Sequence, residues 1–166
     1  LLAPFHSEPD HHIDDTGTRV DGTNWHCQVI CNPLYTAYFT TGRKDRQTVI
    51  DVLRNRRKRV FRLNDEALAL LRRFGVSGRT MEQLRNLPWD QELSETELDD
   101  GLNQQMPRLG ATARSRIVEA SAIAAYHAEA GHPVVRLLIC DDAKQFKLVT
   151  EDLGLCWIHD GRHYKN

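Results

Sequence analysis

A chain of 166 residues is about the size of one domain, and 22 Lys and Arg against 23 Asp and Glu leave a formal charge of −1. That balance excludes a protein held on nucleic acid or membrane by bulk charge alone. With 40% hydrophobic and 27% charged residues the chain can bury a core and is not disordered throughout.

No membrane span is expected, because the longest apolar stretch, Val134 to Cys140, is interrupted by Arg136 and falls far short of the roughly 20 residues a spanning helix needs. The opening Leu1-Leu2-Ala3-Pro4-Phe5-His6 has no initiator Met, no basic region and no long apolar core, so it reads as part of a longer protein rather than as a signal peptide. Cys27, Cys31, Cys140 and Cys156 form no dense disulfide framework and read as reduced thiols of a cytoplasmic protein.

The first elements are extended. His11-His12-Ile13-Asp14 leads into Arg19-Val20, Asp21-Gly22 is a turn signal, and Trp25 to Cys31 follows, which predicts a β-hairpin. After Asn32-Pro33, the aromatic and β-branched run Leu34 to Thr40 predicts a third strand and so an antiparallel meander. From Asp45 the period becomes helical, with Val49, Val52 and Leu53 on one face, followed by the basic run Arg54, Arg56, Arg57, Lys58 and Arg59.

Residues 61–132 read as helical throughout. Asn64 caps a helix that stops at Gly75, a second starts after Thr80 with Gln83 as in a capping box, and Ser94 with Glu97 repeats that signature for a third. The longest runs from about Ala111 to Ala130 with Ile117, Ala120, Ile123, Ala124 and His127 inward. Then Val134 to Cys140 predicts a strand buried on both faces, hence parallel and central. Phe146, Leu148 and Val149 suggest a short helix, and Leu153 to His159 a last strand.

Three parts follow: 1–60 as the first half of an α/β domain, 61–132 as an all-helical insertion, and 133–166 as the second half. Three antiparallel strands, then parallel ones, with helices between, resemble the order of elements in ribonuclease-H-like folds.

Working residues in open α/β sheets sit at the carboxyl ends of strands, where Asp141 falls. A crossover after the meander would lay the Asp14 strand beside it. Two close carboxylates repel unless a cation lies between them, which suggests a site for Mg²⁺ or Mn²⁺. Asp doublets at strand ends also serve as turn and cap residues; Asp15 and Asp142 are the natural caps, leaving Asp14 and Asp141 for the metal.

His12-Ile13-Asp14-Asp15-Thr16, with Arg19-Val20-Asp21-Gly22 and a strand beginning Trp25-His26, resembles the H-x-D-[DE]-T opening of the catalytic domain in bacterial insertion-sequence transposases of the DDE type. Leu138-Ile139-Cys140-Asp141-Asp142-Ala143 resembles their second-aspartate strand, and Cys156-Trp157-Ile158-His159 with Arg162 resembles their C-W-x-H segment. The resemblance implies a metal-dependent enzyme that cuts and joins DNA strands on a ribonuclease-H-like fold. Asp14 and Asp141 would be the first two ligands of a two-ion Mg²⁺ or Mn²⁺ site. Its partners would be transposon ends and target DNA, bound by a homo-oligomer in the bacterial cytoplasm at the nucleoid.

Asp15 replaces the Glu that often follows the first aspartate. The family's third acid, a Glu on a helix well beyond the C-W-x-H strand, has no counterpart before Asn166, and Glu151 and Asp152 precede that strand. The chain is therefore expected to be incomplete as a catalyst. The competing reading is an inactive remnant that binds DNA or assists assembly through its helical insertion.

Other features have two readings each. His159 and Arg162 could touch a phosphate or lie in an exposed turn. The run Arg54, Arg56, Arg57, Lys58 and Arg59 could meet DNA phosphates or form a solvated face. Residues 70–84 resemble a helix-turn-helix or an ordinary α-hairpin. Cys27 and Cys31 with His159 and His163 raise zinc, but two positions four apart on one strand lie about 13 Å apart.

Overall fold

The structure is a computed structural model that describes Asp10–Trp157 and Gly161. In chain order its elements are β1 (Asp10–Val20), β2 (Thr23–Asn32), β3 (Tyr35–Thr41), α1 (Arg46–Leu53), β4 (Phe61–Arg62), α2 (Asp65–Arg73), α3 (Gly78–Leu84), β5 (Glu92–Leu93), α4 (Glu95–Gln105), α5 (Ala111–His127), β6 (Leu137–Cys140) and β7 (Asp152–Leu155). They divide into two compact units, one made by the chain up to Arg56 and again from Ala130, the other by Arg57–Glu129.

The first unit holds a five-stranded mixed sheet of order β3-β2-β1-β6-β7. β1, β2 and β3 form the antiparallel meander. The β1–β2 turn places Asp21 and Gly22 at φ 48° and 76°, the mirror-image turn whose twist suits a two-residue hairpin. β6 joins β1 in parallel and β7 joins β6 in parallel. Asp45 caps α1, accepting the Thr48 N–H at 2.9 Å, and the helix buries Val49, Ile50, Val52 and Leu53.

Strand alternation gives the sheet two unlike faces. His11, Ile13, Gln28, Ile30, Phe39, Leu138 and Cys140 are buried on one. On the other, His12 and Asp14 are exposed and Leu137 and Ile139 half-buried.

Three expectations for this unit are corrected. β6 starts at Leu137 rather than Val134, and its alternating burial shows that its apolar run is not enclosed on both faces. The apolar residues at 137 and 139 belong to the open face. The stretch with Phe146, Leu148 and Val149 forms successive turns instead of a helix, with Leu148 at φ 68°; Phe146 and Val149 are buried, so their spacing reflects anchoring rather than a helical face. β7 covers only Asp152–Leu155, and the predicted strand's end lies outside the described residues.

The second unit is mostly helical but not all-helical. β4 and β5 pair antiparallel, Phe61 with Leu93 and Arg62 with Glu92, and strands of two residues carry no period that a sequence could reveal. Asn64 caps α2, Gly75 follows it at φ 71°, and Ser94 with Glu97 forms the capping box of α4. α3, however, is capped by Ser77 and not by Thr80; the Ser77 hydroxyl accepts the Thr80 N–H at 3.2 Å. Phe61, Leu63, Leu71, Leu98, Leu102, Ile117, Ile123 and Tyr126 are fully buried. Arg57 and Glu129, at the two ends of the unit, are joined at 2.8 and 3.0 Å. No described helix is long and apolar enough to cross a membrane.

Candidate metal site

The parallel pairing of β1 with β6 sets the site. Asp10, His11 and His12 lie opposite Leu137, Leu138 and Ile139, and the same register carried two residues on brings Asp14 opposite Asp141, the first residue past β6. In-register residues of neighbouring strands share a face. The two aspartates accordingly line one concavity of about 190 Å³, together with His12, Val29, Cys31 and Cys156.

Each carboxylate is held by one oxygen. Asp14 Oδ1 accepts the N–H of Asp15 at 2.8 Å, and Asp141 Oδ1 accepts the N–H of Ala143 at 3.0 Å. The second oxygen of each has no hydrogen-bond or ion-pair partner among the described residues. Burial first, and then the negative charges of Asp141 and Asp142, push the neighbouring Cys140 thiol up to about 12. This end of the sheet presents two oriented acceptors.

The division of labour within the two doublets differs from expectation. Asp141 itself makes the turn bond assigned to Asp142, which instead pairs with Lys147 at 2.8 Å. A carboxylate has about four acceptor positions, so the turn bond leaves Asp141 able to bind. Asp15 caps nothing: it faces the opposite side of the sheet from Asp14 and bonds Gln145 at 2.8 Å and Lys44 at 3.4 Å.

Among the described residues no three His, Cys, Asp or Glu side chains converge as metal ligands. The carboxylate pair suits one hydrated Mg²⁺ or Mn²⁺, an ion that keeps several waters and takes one or two carboxylates plus phosphate oxygens. Cys27 and Cys31 are free thiols on β2. His159, Arg162 and His163 lie outside the described residues.

The basic run begins after the last residue of α1 rather than on the helix. Arg54 is buried at 5% exposure. Arg56 bonds the Thr40 carbonyl and lies over the Phe39 ring at 5.6 Å, and Arg57 pairs with Glu129. Lys58 is exposed and Arg59 half-buried. In the helical unit, Arg85 pairs with Asp65 at 3.6 Å and stacks over Trp89 at 5.0 Å, while Arg79 and Arg108 line a second concavity of about 450 Å³.

His12, Cys31 and Cys156 on the same concavity as the aspartates were not read from the sequence as parts of one site with them. A signal existed for two of the three. His12 precedes Asp14 by one strand period, and the tight turn at Asp21-Gly22 fixes the pairing of His12 with Cys31 and of Asp14 with Val29. Compared with protein-family models, curated proteins and solved structures, the chain finds no match in any of the three.

Proposed function

We propose that the chain is the catalytic domain of a DDE-type transposase of a bacterial insertion sequence, built on a ribonuclease-H-like fold, in which Asp14 and Asp141 hold Mg²⁺ or Mn²⁺. The observation that carries this reading is the parallel β1–β6 pairing, which sets Asp14 opposite Asp141 on the open face of the sheet. The strand order, with an antiparallel meander beside two parallel strands, also supports it. So does a mainly helical unit between α1 and β6.

When bound, the metal supplies an activated water, and later an activated DNA 3′-hydroxyl, for in-line attack on a phosphodiester. The chain's part is preorganisation. The backbone N–H groups of Asp15 and Ala143 aim the two carboxylates, and ligands held in advance lose little freedom when the ion arrives. His12, on the same concavity, presents an imidazole that can donate to a phosphate oxygen. The enzyme acts as a multimer on transposon ends and target DNA.

Calorimetric titration with Mn²⁺ of the wild-type chain, Asp14→Asn and Asp141→Asn tests the reading. Asparagine keeps the oxygen that accepts each backbone N–H and removes the charge. Measurable binding by the wild type that both substitutions abolish supports the pair. Binding that neither substitution alters rejects it, and no binding by a chain extended past Asn166 moves the reading to an inactive remnant that binds DNA or assists assembly.

A further inference from the structure

We infer that Asp15 is a positioning residue for the metal pair: through Gln145 it fixes the turn behind β6 and with it the carboxylate of Asp141. The inference rests on the proposed role of Asp14 and Asp141 and identifies what keeps them opposed.

Asp15 faces the opposite side of β1 from Asp14, so it shares no ligand position with it. Its side chain is only 7% exposed, and a buried carboxylate is costly unless hydrogen-bonded. Its Oδ2 accepts from Gln145 Nε2 at 2.8 Å, across 130 positions of sequence, and its Oδ1 faces Lys44 Nζ at 3.4 Å. Gln145 belongs to the run of turns that starts at Asp141, a segment with no ladder of its own. The same segment is gripped from α1 by Arg46, whose Nε and Nη2 donate to the carbonyls of Lys147 and Lys144 at 2.7 and 2.9 Å. Phe146 anchors it in the core at 0% exposure.

Of these restraints only the Asp15–Gln145 bond reaches back to the residue next to Asp14. It ties the two carboxylate-bearing segments directly, one peptide from the first aspartate and four residues from the second. Withdrawing Gln145 would strand the Asp15 charge with Lys44 as its remaining partner, so the bond resists opening.

The test is Mn²⁺ affinity by calorimetry on the full chain for Gln145→Glu and for the exchanged pair Asp15→Asn with Gln145→Glu. Gln145→Glu sets two carboxylates against each other while adding negative charge near the site. Positioning predicts affinity about 10–100-fold weaker, the usual effect of disturbing a residue that orients a ligand, whereas a purely electrostatic role predicts tighter binding. The exchanged pair restores the bond with its polarity reversed, at unchanged total charge for the two positions relative to wild type, and should recover affinity to within about threefold of wild type.

Unchanged or tighter binding by Gln145→Glu, or an exchanged pair no better than that variant, overturns the inference. If Gln145→Glu does not fold, Gln145→Ala takes its place, with the same weakening expected. Should the wild-type chain bind no Mn²⁺, hydrogen exchange at the Ala143 amide decides the positioning role separately. Exchange about tenfold faster in Gln145→Glu and restored in the exchanged pair upholds it, and equal rates in all three chains reject it.

Discussion

His11 makes the fold sensitive to mild acid. It is fully buried on β1, three residues before Asp14, and burial holds its imidazole below the usual histidine value of 6.5, with Asp10 opposing the shift and His12 adding to it. Its Nε2 lies 3.4 Å from Asn32 Nδ2. The Asn32 amide cannot turn over, because its Oδ1 already accepts the N–H groups of Leu34 and Tyr35 at 2.9 and 3.2 Å. Nε2 is therefore the acceptor, and a proton there would face another donor. With the folded-state value depressed, the unfolded chain takes up a proton first as pH falls. The stability is complete above pH 6.5 and is lost below it. Between pH 7.5 and 5.5 the loss from this one group has a ceiling of about 1.4 kcal/mol, one pH unit below the unfolded value. The measurement is a comparison: urea unfolding at both pH values for wild type and for His11→Gln, which keeps an acceptor for Asn32 and carries no proton. Wild type should lose more stability than the variant on acidification, by no more than that ceiling. Equal losses would refute the argument, since His11 would then be free to protonate where it sits.

Three further outcomes follow from the same structure. Gln28 is fully buried and neither its amide nitrogen nor its oxygen has a hydrogen-bond partner among the described residues. Gln28→Leu should thus raise stability by about 1–2 kcal/mol, and a lower melting temperature would show that the amide is satisfied. Gly75 sits at φ 71°, and a Cβ there would meet only Arg116 Nη1 at an ordinary 3.9 Å, so Gly75→Ala should cost about 1–2 kcal/mol from backbone strain alone; denaturant unfolding equal to wild type would refute that. Cys140, buried at 1% exposure with its thiol pushed up to about 12, should resist a thiol reagent at pH 8 in the native chain and react on unfolding. Native-state labelling of Cys140 as fast as that of Cys31 would contradict this.

Where a local signal coincided with the final structure, the sequence was readable. Asp21-Gly22 and the alternation around it mark the hairpin, and Asn64 and Ser94 mark helix starts because their side chains bond within their own first turn. The opposition of Asp14 and Asp141 was legible too, since a crossover after a meander has few ways to return to the sheet. The limits have physical causes. β4 and β5 are too short for a period and exist because each pairs with the other. Phe146 and Val149 imitate a helical face because both reach into the core, yet the backbone between them turns left-handed at Leu148. Ser77 rather than Thr80 opens α3, a choice between neighbouring hydroxyls that only the completed turn decides. The bond between Asp15 and Gln145 spans 130 positions, and nothing in either neighbourhood announces the other.

The ion pair between Arg57 and Glu129 joins the ends of the inserted unit. For an unstructured chain, bringing β1 to β6 means closing a loop of more than about a hundred residues, at an entropic cost that grows with the logarithm of length. Helical contacts within the insertion are short-range and form quickly, and once its ends are clasped the return to β6 is a short closure. Doubling the length of such a loop adds only about 0.6 kcal/mol. A change in the length of the insertion's body would accordingly cost little in closure entropy, provided the Arg57–Glu129 pair still joins its two ends.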